Sequence, residues 1–214
     1  VVHPVNGSSA SLPQLNRSTG CGQSRATEHF SRWWFVAAAT ARSACVSESP
    51  PPRLTIEALS AEAFAPFGDV IASDCATRQF AINEGTAQRF HALARVECDA
   101  SGGYPLISLV RSQPRPMPFL VRMLERHPLG SQAFIPQSQQ PYLIVVAESA
   151  KHVPRAFLAS AGAGVNFRRG TWHHPLLALD ACSDFVVVDR GGDGDNCEEV
   201  MLSRAYLLDP NGGD

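Results

Sequence analysis

A short, otherwise apolar stretch of the sequence carries side chains that suit acid–base or metal chemistry. Glu125 and His127 lie two residues apart, and Gln132 follows a Pro-Leu-Gly-Ser turn. A second polar cluster, Gly170-Thr171-Trp172-His173-His174-Pro175, lies further along the chain between apolar runs. A carboxylate and imidazoles that share an apolar cavity can transfer protons or bind a metal ion. The two clusters therefore predict one shared pocket, with Glu125, His127, Gln132 and His173 as its candidate residues.

The residues from Phe119 to His127 alternate as in a β-strand, so Glu125 and His127 point to the same side. In a small barrel, every second residue of a strand faces the interior. Gln132 can return to the same cavity from the next strand. Adjacent residues of a strand face opposite ways, so only one of His173 and His174 enters the cavity, and its spacing favours His173.

Each of these residues also has a simpler interpretation. Glu125 is beside Arg126 and could be an exposed charge at the edge of a sheet. His127 precedes a proline and could be a turn histidine that is satisfied by the backbone. Gln132 could be a loop amide, and Trp172 is more often a packing residue than a surface on which a substrate stacks.

The rest of the chain predicts many short strands, turns rich in Gly and Pro, and almost no long helix. Ser60 is a plausible N-cap for a short helix through Ala63 and Phe64 that ends near Pro66. This pattern predicts a mainly β fold, with strands closed into a barrel or packed as two sheets of the jelly-roll type. The clearest predicted strands are 54–59, 106–111, 119–127, 134–136, 142–147, 155–159, 165–168, 176–179 and 184–189, and the tail from Glu198 has weak helical or strand character.

Residues 1–52 differ from the rest of the chain. They are rich in Ser, Ala and Pro, show no sustained periodicity and end in three consecutive prolines. We interpret them as a disordered extension or the product of a mis-set start site, with a targeting segment around Trp33 to Ala39 as the alternative. One domain from Arg53 to the C-terminus is the simplest organisation.

Composition narrows the classes of function. The 214 residues carry a net charge of −2, with 44% hydrophobic and 18% charged residues, so nothing indicates nucleic acid or an anionic membrane as a partner. No apolar run approaches the ~20 residues that span a bilayer. The six cysteines form no Cys-x-x-Cys motif and have no zinc-finger spacing, which favours reduced thiols in a cytoplasmic protein.

The two polar clusters resemble the two cupin motifs. The first cupin motif is His-x-His followed by Glu, and here Glu125, His127 and Gln132 occupy those positions; Gly170 and His173 match the second motif. Glu replaces one histidine and Gln replaces the glutamate. A closer resemblance is to the ureidoglycolate lyase family. It is carried by Phe67-Gly68-Asp69-Val70-Ile71, the run from Glu125 to Pro136, Gly164-Val165-Asn166-Phe167, Trp172-His173-His174-Pro175-Leu176 and Asp189-Arg190-Gly191-Gly192.

This resemblance implies a cupin-like β-barrel from residue 53 to residue 214, a homodimer, and nickel as cofactor. It implies cleavage of ureidoglycolate into glyoxylate and urea during allantoin breakdown. We expect His127 or Glu125 to take the hydroxyl proton and His173 to serve the leaving nitrogen. Gln132 would bind the urea amide and Arg190 the carboxylate. The same two histidines, with Glu125 and Gln132, are the candidate metal ligands.

Two other functions are compatible with the same residues. A cupin-like module without catalytic activity would bind a small carboxylate. A ureidoglycolate hydrolase would release ammonia and carbon dioxide instead of urea.

Overall fold

The computed structural model describes residues 49–160 and 162–212, and its strands form two curled sheets around an apolar interior. Most of the interpretation of residues 1–52 therefore concerns residues outside the described part, and the domain organisation stays a prediction. The strands are β1 (Ile56–Ala58), β2 (Gly68–Ile71), β3 (Gln79–Ile82), β4 (Ala87–Phe90), β5 (Tyr104–Ser112), β6 (Phe119–Arg126), β7 (Gln132–Pro136), β8 (Tyr142–Ala147), β9 (Arg155–Ala159), β10 (Gly164–Phe167), β11 (Trp172–His173), β12 (Leu177–Ala178), β13 (Ser183–Gly191) and β14 (Glu198–Leu208).

The helical content is small, as the sequence predicts. The α-helix α1 spans Ala61–Phe64, and the Ser60 side chain caps it by accepting a hydrogen bond from the backbone N–H of Ala63. Short 3₁₀ turns occupy Ser73–Cys75 and Asn83–Gly85. The mainly β, cupin-like barrel is thus confirmed.

The larger sheet has the order β1-β9-β8-β11-β6-β14, and β12 also pairs with β8. The smaller sheet has the order β2-β10-β7-β13-β5, and β3 and β4 form a separate hairpin. Most pairs in the two sheets are antiparallel, whereas β1 pairs with β9 in parallel. Antiparallel neighbours place directly opposed residues on the same face of a sheet, which allows the site to be built from the register.

Strand β8 is apolar throughout because both of its faces are buried. Tyr142, Ile144 and Val146 face a core between the two sheets that is rich in aromatic residues. The alternate residues of β8 belong to a second core, together with Leu54, Leu177 and others. The register pairs Val146 with His173, so the histidine lies beside the inner core.

Two further sequence expectations concern the cysteines and the membrane. Cys75, Cys98, Cys182 and Cys197 are free thiols, and the other two cysteines lie outside the described residues. Within the described residues, no helix has both the length and the apolarity to cross a bilayer.

Candidate functional site

Glu125 and His173 meet because β6 and β11 pair with these two residues directly opposite each other. The Oε1 atom of Glu125 lies 3.5 Å from Nε2 of His173, and the two side chains are 17% and 1% exposed. His174, the next residue, packs against Phe119, with ring centroids 5.3 Å apart. The simpler interpretation of Glu125, an exposed edge charge, therefore does not describe its position.

The ring of His173 is held on one face of its imidazole plane and at one nitrogen. Phe167 of β10 stacks on it, with ring centroids 4.2 Å apart and planes 11° apart. Its Nδ1 lies 2.9 Å from the carbonyl oxygen of Thr171. A carbonyl only accepts, so Nδ1 carries the proton whenever the ring is neutral, and Nε2 then keeps its lone pair. That Nε2 is buried and has no hydrogen-bond partner among the described residues.

His127 is oriented in the same way from the end of β6. Its Nδ1 donates to the carbonyl oxygen of Asn196 at 2.6 Å, and the Asn196 side chain accepts from the backbone N–H of Leu129 at 2.8 Å. The ring centroids of His127 and His173 are 5.3 Å apart. The backbone satisfies one nitrogen of His127, as the turn interpretation supposes, but its buried Nε2 also lacks a partner among the described residues.

Glu125, His127 and His173 form a group that could hold a divalent metal ion. One ligand atom from each lies within 4.8 Å of the others. Both imidazoles offer a lone pair on Nε2 while a carbonyl fixes Nδ1, which is the usual arrangement of histidine ligands in metal sites. Burial raises the pKa of Glu125, but the nearby imidazoles of His173 and His127 outweigh it and hold the pKa below its ordinary value. An ionised carboxylate with two imidazoles suits a divalent transition metal.

A second possible ligand group, Glu125 with Cys197 and Glu199, shares the same carboxylate. Cys197 and Glu199 are exposed. Burial of the thiol and the neighbouring acids raise the pKa of Cys197 to about 11. A thiol binds metals as the thiolate, so this group is the weaker candidate.

The smaller sheet supplies the other wall through one row of residues at the same register. Phe167 of β10 opposes Gln132 of β7. The pairing of Val188 with Ala133 puts Asp189 of β13 opposite Gln132. Phe167, Gln132 and Asp189 therefore point to one side of the sheet, the side on which Phe167 stacks on His173.

Asp189 is a residue of this wall that the candidate set from the sequence omits. Burial raises the pKa of its carboxyl group, against the lowering influence of the nearby His127 charge and the Gln132 amide. The signal was present in the sequence: Asp189 continues the alternation of Phe185 and Val187, both of which face the inner core. A carboxylate on the buried face of an apolar strand indicates a functional position.

Arg190 is not brought to the imidazole group. Its Nε donates to Oδ1 of Asp99 at 2.7 Å and its Nη1 donates to the carbonyl oxygen of Gly192 at 2.9 Å. Gly130 makes room for this side chain, since a Cβ atom there would collide with Cβ of Arg190. Strand alternation directs Arg190 away from the face that carries Asp189. Its assignment to a substrate carboxylate stays a prediction.

Trp172 has a structural partner. The guanidinium carbon of Arg126 lies 4.7 Å from its ring centroid, and Arg126 also pairs with Glu198. The packing interpretation of this tryptophan therefore accounts for its contacts.

Comparison with known proteins places this chain in a family. Residues 51–209 match the family model described as ureidoglycolate lyase. The chain is 54% identical over 165 residues to a ureidoglycolate lyase of Burkholderia cepacia, an alignment that covers 75% of this chain and 93% of the relative. It is 49% identical over 162 residues to ureidoglycolate lyase 1 of Rhizobium meliloti (strain 1021), with 74% and 95% covered. A ureidoglycolate lyase of Pseudomonas syringae pv. tomato is 49% identical over 166 residues, with 74% and 96% covered. The family model spans most of the sequence and the relatives are covered nearly end to end, so the chain belongs to the ureidoglycolate lyase family.

Proposed function

We propose that the protein is a ureidoglycolate lyase, which cleaves ureidoglycolate into glyoxylate and urea. The observation that carries this proposal is the convergence of Glu125 with two unpartnered imidazole nitrogens, in a chain whose relatives carry that name. In a cell the reaction would serve allantoin breakdown, and a cytoplasmic location agrees with the free thiols of the described cysteines.

The reaction needs a base and an acid at one carbon. The central carbon of ureidoglycolate bears a hydroxyl group, a carboxylate and the urea nitrogen. A base removes the hydroxyl proton, the C–O bond becomes the carbonyl of glyoxylate, and the C–N bonding pair leaves with urea. An acid protonates that nitrogen as it departs. Each such proton transfer contributes typically ~10²–10⁴-fold to the rate.

The described geometry supports an assignment of these roles, with one choice left open. The group that protonates the leaving nitrogen must enter the step as a cation or a neutral acid. His173 suits this role, because its Nε2 lies 3.5 Å from the Glu125 carboxylate, which stabilises an imidazolium. His127 or Glu125 would take the hydroxyl proton. Gln132 would bind the urea amide. Arg190 would hold the carboxylate through its Nη2 atom, which has no hydrogen-bond partner among the described residues.

A metal ion fits the same side chains. His127 and His173 through Nε2 and Glu125 through its carboxylate would hold it, with the Gln132 oxygen as a weaker fourth candidate. We propose Ni²⁺ as the ion; when bound, it would supply Lewis acidity that lowers the pKa of a coordinated hydroxyl group.

We also propose that the protein works as a homodimer that uses β5. This strand is at the edge of the smaller sheet, and its neighbour β13 covers only one side. Ile107 and Leu109 are 75% and 65% exposed, and Tyr104, Leu106 and Val110 are also exposed. A long, apolar, open edge is a liability unless another chain covers it. A second copy of β5 is the simplest cover, since two-fold contacts between identical surfaces are the commonest in oligomers.

One assay separates the proposed function from its alternatives. The purified protein is incubated with ureidoglycolate, and urea, ammonia and glyoxylate are measured together. A lyase releases equal amounts of urea and glyoxylate. Release of ammonia in place of urea would identify a hydrolase. Binding of glyoxylate without turnover would identify a cupin-like binding module.

A further inference from the structure

Two buried acceptor atoms on the smaller sheet have no donor. Oδ1 of Asp189 and Oε1 of Gln132 are buried, and neither has a hydrogen-bond partner among the described residues. Their strands, β13 and β7, pair so that the two residues lie opposite each other. The next residue in the same row is Phe167, which stacks on His173. The two oxygens therefore border the space next to the imidazole group.

Such an arrangement is costly for a protein that uses it only for packing. A buried acceptor without a donor loses the hydrogen bonds that water would give it, and a charged acceptor loses more. Position 189 is compatible with an apolar residue, because Phe185 and Val187 precede it on the same face of β13. A carboxylate with one oxygen unsatisfied among the described residues indicates, in this position, a ligand that brings its own N–H groups.

The two ends of ureidoglycolate differ in this respect. The ureido end has one N–H and one NH₂ group, whereas the other end is a carboxylate with acceptors only. Asp189 repels the carboxylate end and accepts hydrogen bonds from the ureido end. The side-chain oxygen of Gln132 accepts from the same end. The row thus recognises one end of the substrate and fixes its orientation relative to His173.

We infer that Asp189 and Gln132 together form the subsite for the ureido group, with Asp189 as a residue that determines specificity. This inference rests on the proposed function and adds a residue that the reaction scheme above does not contain.

The test compares two molecules that share the carboxylate end but differ in N–H groups. Asp189→Asn keeps the shape of the side chain and replaces one acceptor oxygen with a donor. A hydrogen bond to a charged group is worth ~1.5–3 kcal/mol, so the KM for ureidoglycolate should rise about 10- to 150-fold. Inhibition by glyoxylate, which has no N–H group, should change less than about threefold. A contact made in both ground state and transition state changes KM more than kcat.

The matched control is Asp184→Asn on the same strand. Asp184 is paired with Arg111 through two hydrogen bonds of 2.7 and 2.8 Å, outside the site. Asp184→Asn makes the same chemical change, and it should leave the KM for ureidoglycolate and the inhibition constant of glyoxylate unchanged. If Asp189→Asn leaves the KM unchanged, or shifts the KM and the glyoxylate inhibition constant by the same factor, the inference is wrong.

A second variant keeps the inference testable if Asp189→Asn fails to fold. Gln132→Met retains the length of the side chain and removes the amide. It should also raise the KM for ureidoglycolate without weakening inhibition by glyoxylate. Equal shifts in both constants would again overturn the subsite. The proposed function fails separately, when the wild-type protein releases no urea, and these variants do not affect that result.

Discussion

Neutralising Glu125 is the sharpest test of the site. Glu125→Gln keeps the shape of the side chain but removes its charge and most of its basicity. In the structure its Oε1 lies 3.5 Å from Nε2 of His173, and the side chain is 17% exposed. We expect the variant to fold and to lose most of its turnover.

The magnitude follows from that geometry. Two unit charges at this distance interact by about 5 kcal/mol at an effective dielectric constant of about 20. The desolvation of both groups offsets part of this energy, so it is an upper bound. One proton transfer contributes ~10²–10⁴-fold to a rate, or about 2.7–5.4 kcal/mol on the barrier. The two estimates overlap, and we expect kcat to fall by ~10²–10⁴-fold.

The assay measures urea release under saturating ureidoglycolate, with near-ultraviolet circular dichroism to confirm folding. The matched control is Glu198→Gln. Glu198 undergoes the same change in charge, but it is 47% exposed and pairs with Arg126 on the surface. An exposed pair contributes at most ~1 kcal/mol to stability, so turnover should stay within about threefold of wild type. A folded Glu125→Gln protein with kcat within tenfold of wild type would refute the role of this carboxylate.

Three further predictions test the metal group, one ion pair and the proposed dimer. After loading with Ni²⁺ and gel filtration, His127→Ala should retain much less than one Ni²⁺ per chain by mass spectrometry. The control is His152→Ala, which changes an exposed histidine that contacts Ser149 and should retain as much Ni²⁺ as wild type. Equal retention by the two variants would exclude His127 as a ligand. Arg155 holds the pKa of Glu57 below its ordinary value, so this pair stabilises the fold above pH ~4.3 and ceases to do so as pH falls through the folded-state pKa. The stability difference between wild type and Glu57→Gln should be below ~1 kcal/mol, because both side chains of the pair are 38% exposed. In denaturant titrations this difference should shrink between pH 7 and pH 3. A difference that stays constant would contradict a stabilising role of the pair. Leu109→Glu should convert the dimer to a monomer in analytical ultracentrifugation, while Met201→Glu, 71% exposed on β14, should not; a dimer that survives Leu109→Glu would place the interface elsewhere.

The sequence by itself predicts two kinds of strand: those with one apolar and one polar face, and those with both faces buried. The predicted ranges of β8 and β9 match the structure residue for residue, because apolar runs this short, bounded by turns, favour a strand over a helix. The tail is the opposite case: Glu198–Leu208 forms the long strand β14, which the sequence indicated only weakly. Only Tyr206 and Leu208 of this strand are buried, so its composition carries no clear period.

The candidate site likewise has a part that the sequence predicted and a part that it could not predict. Alternation along β6 placed Glu125 and His127 on one face, and the spacing of the second cluster favoured His173 over His174; both depend only on local geometry. The sequence could not show that Arg190 is paired with Asp99, because that contact joins residues far apart in the chain. Nor could it show that Asp189 stands opposite Gln132.

The sequence thus determined which side chains could do chemistry and which face of its own strand each one takes. Only the tertiary structure decided which strands are neighbours and at what register. That register sets His173 against Glu125 and aligns Phe167, Gln132 and Asp189. The physical reason is that side-chain direction follows from the pleat of one strand, whereas strand pairing depends on burial and hydrogen bonding summed over the whole chain.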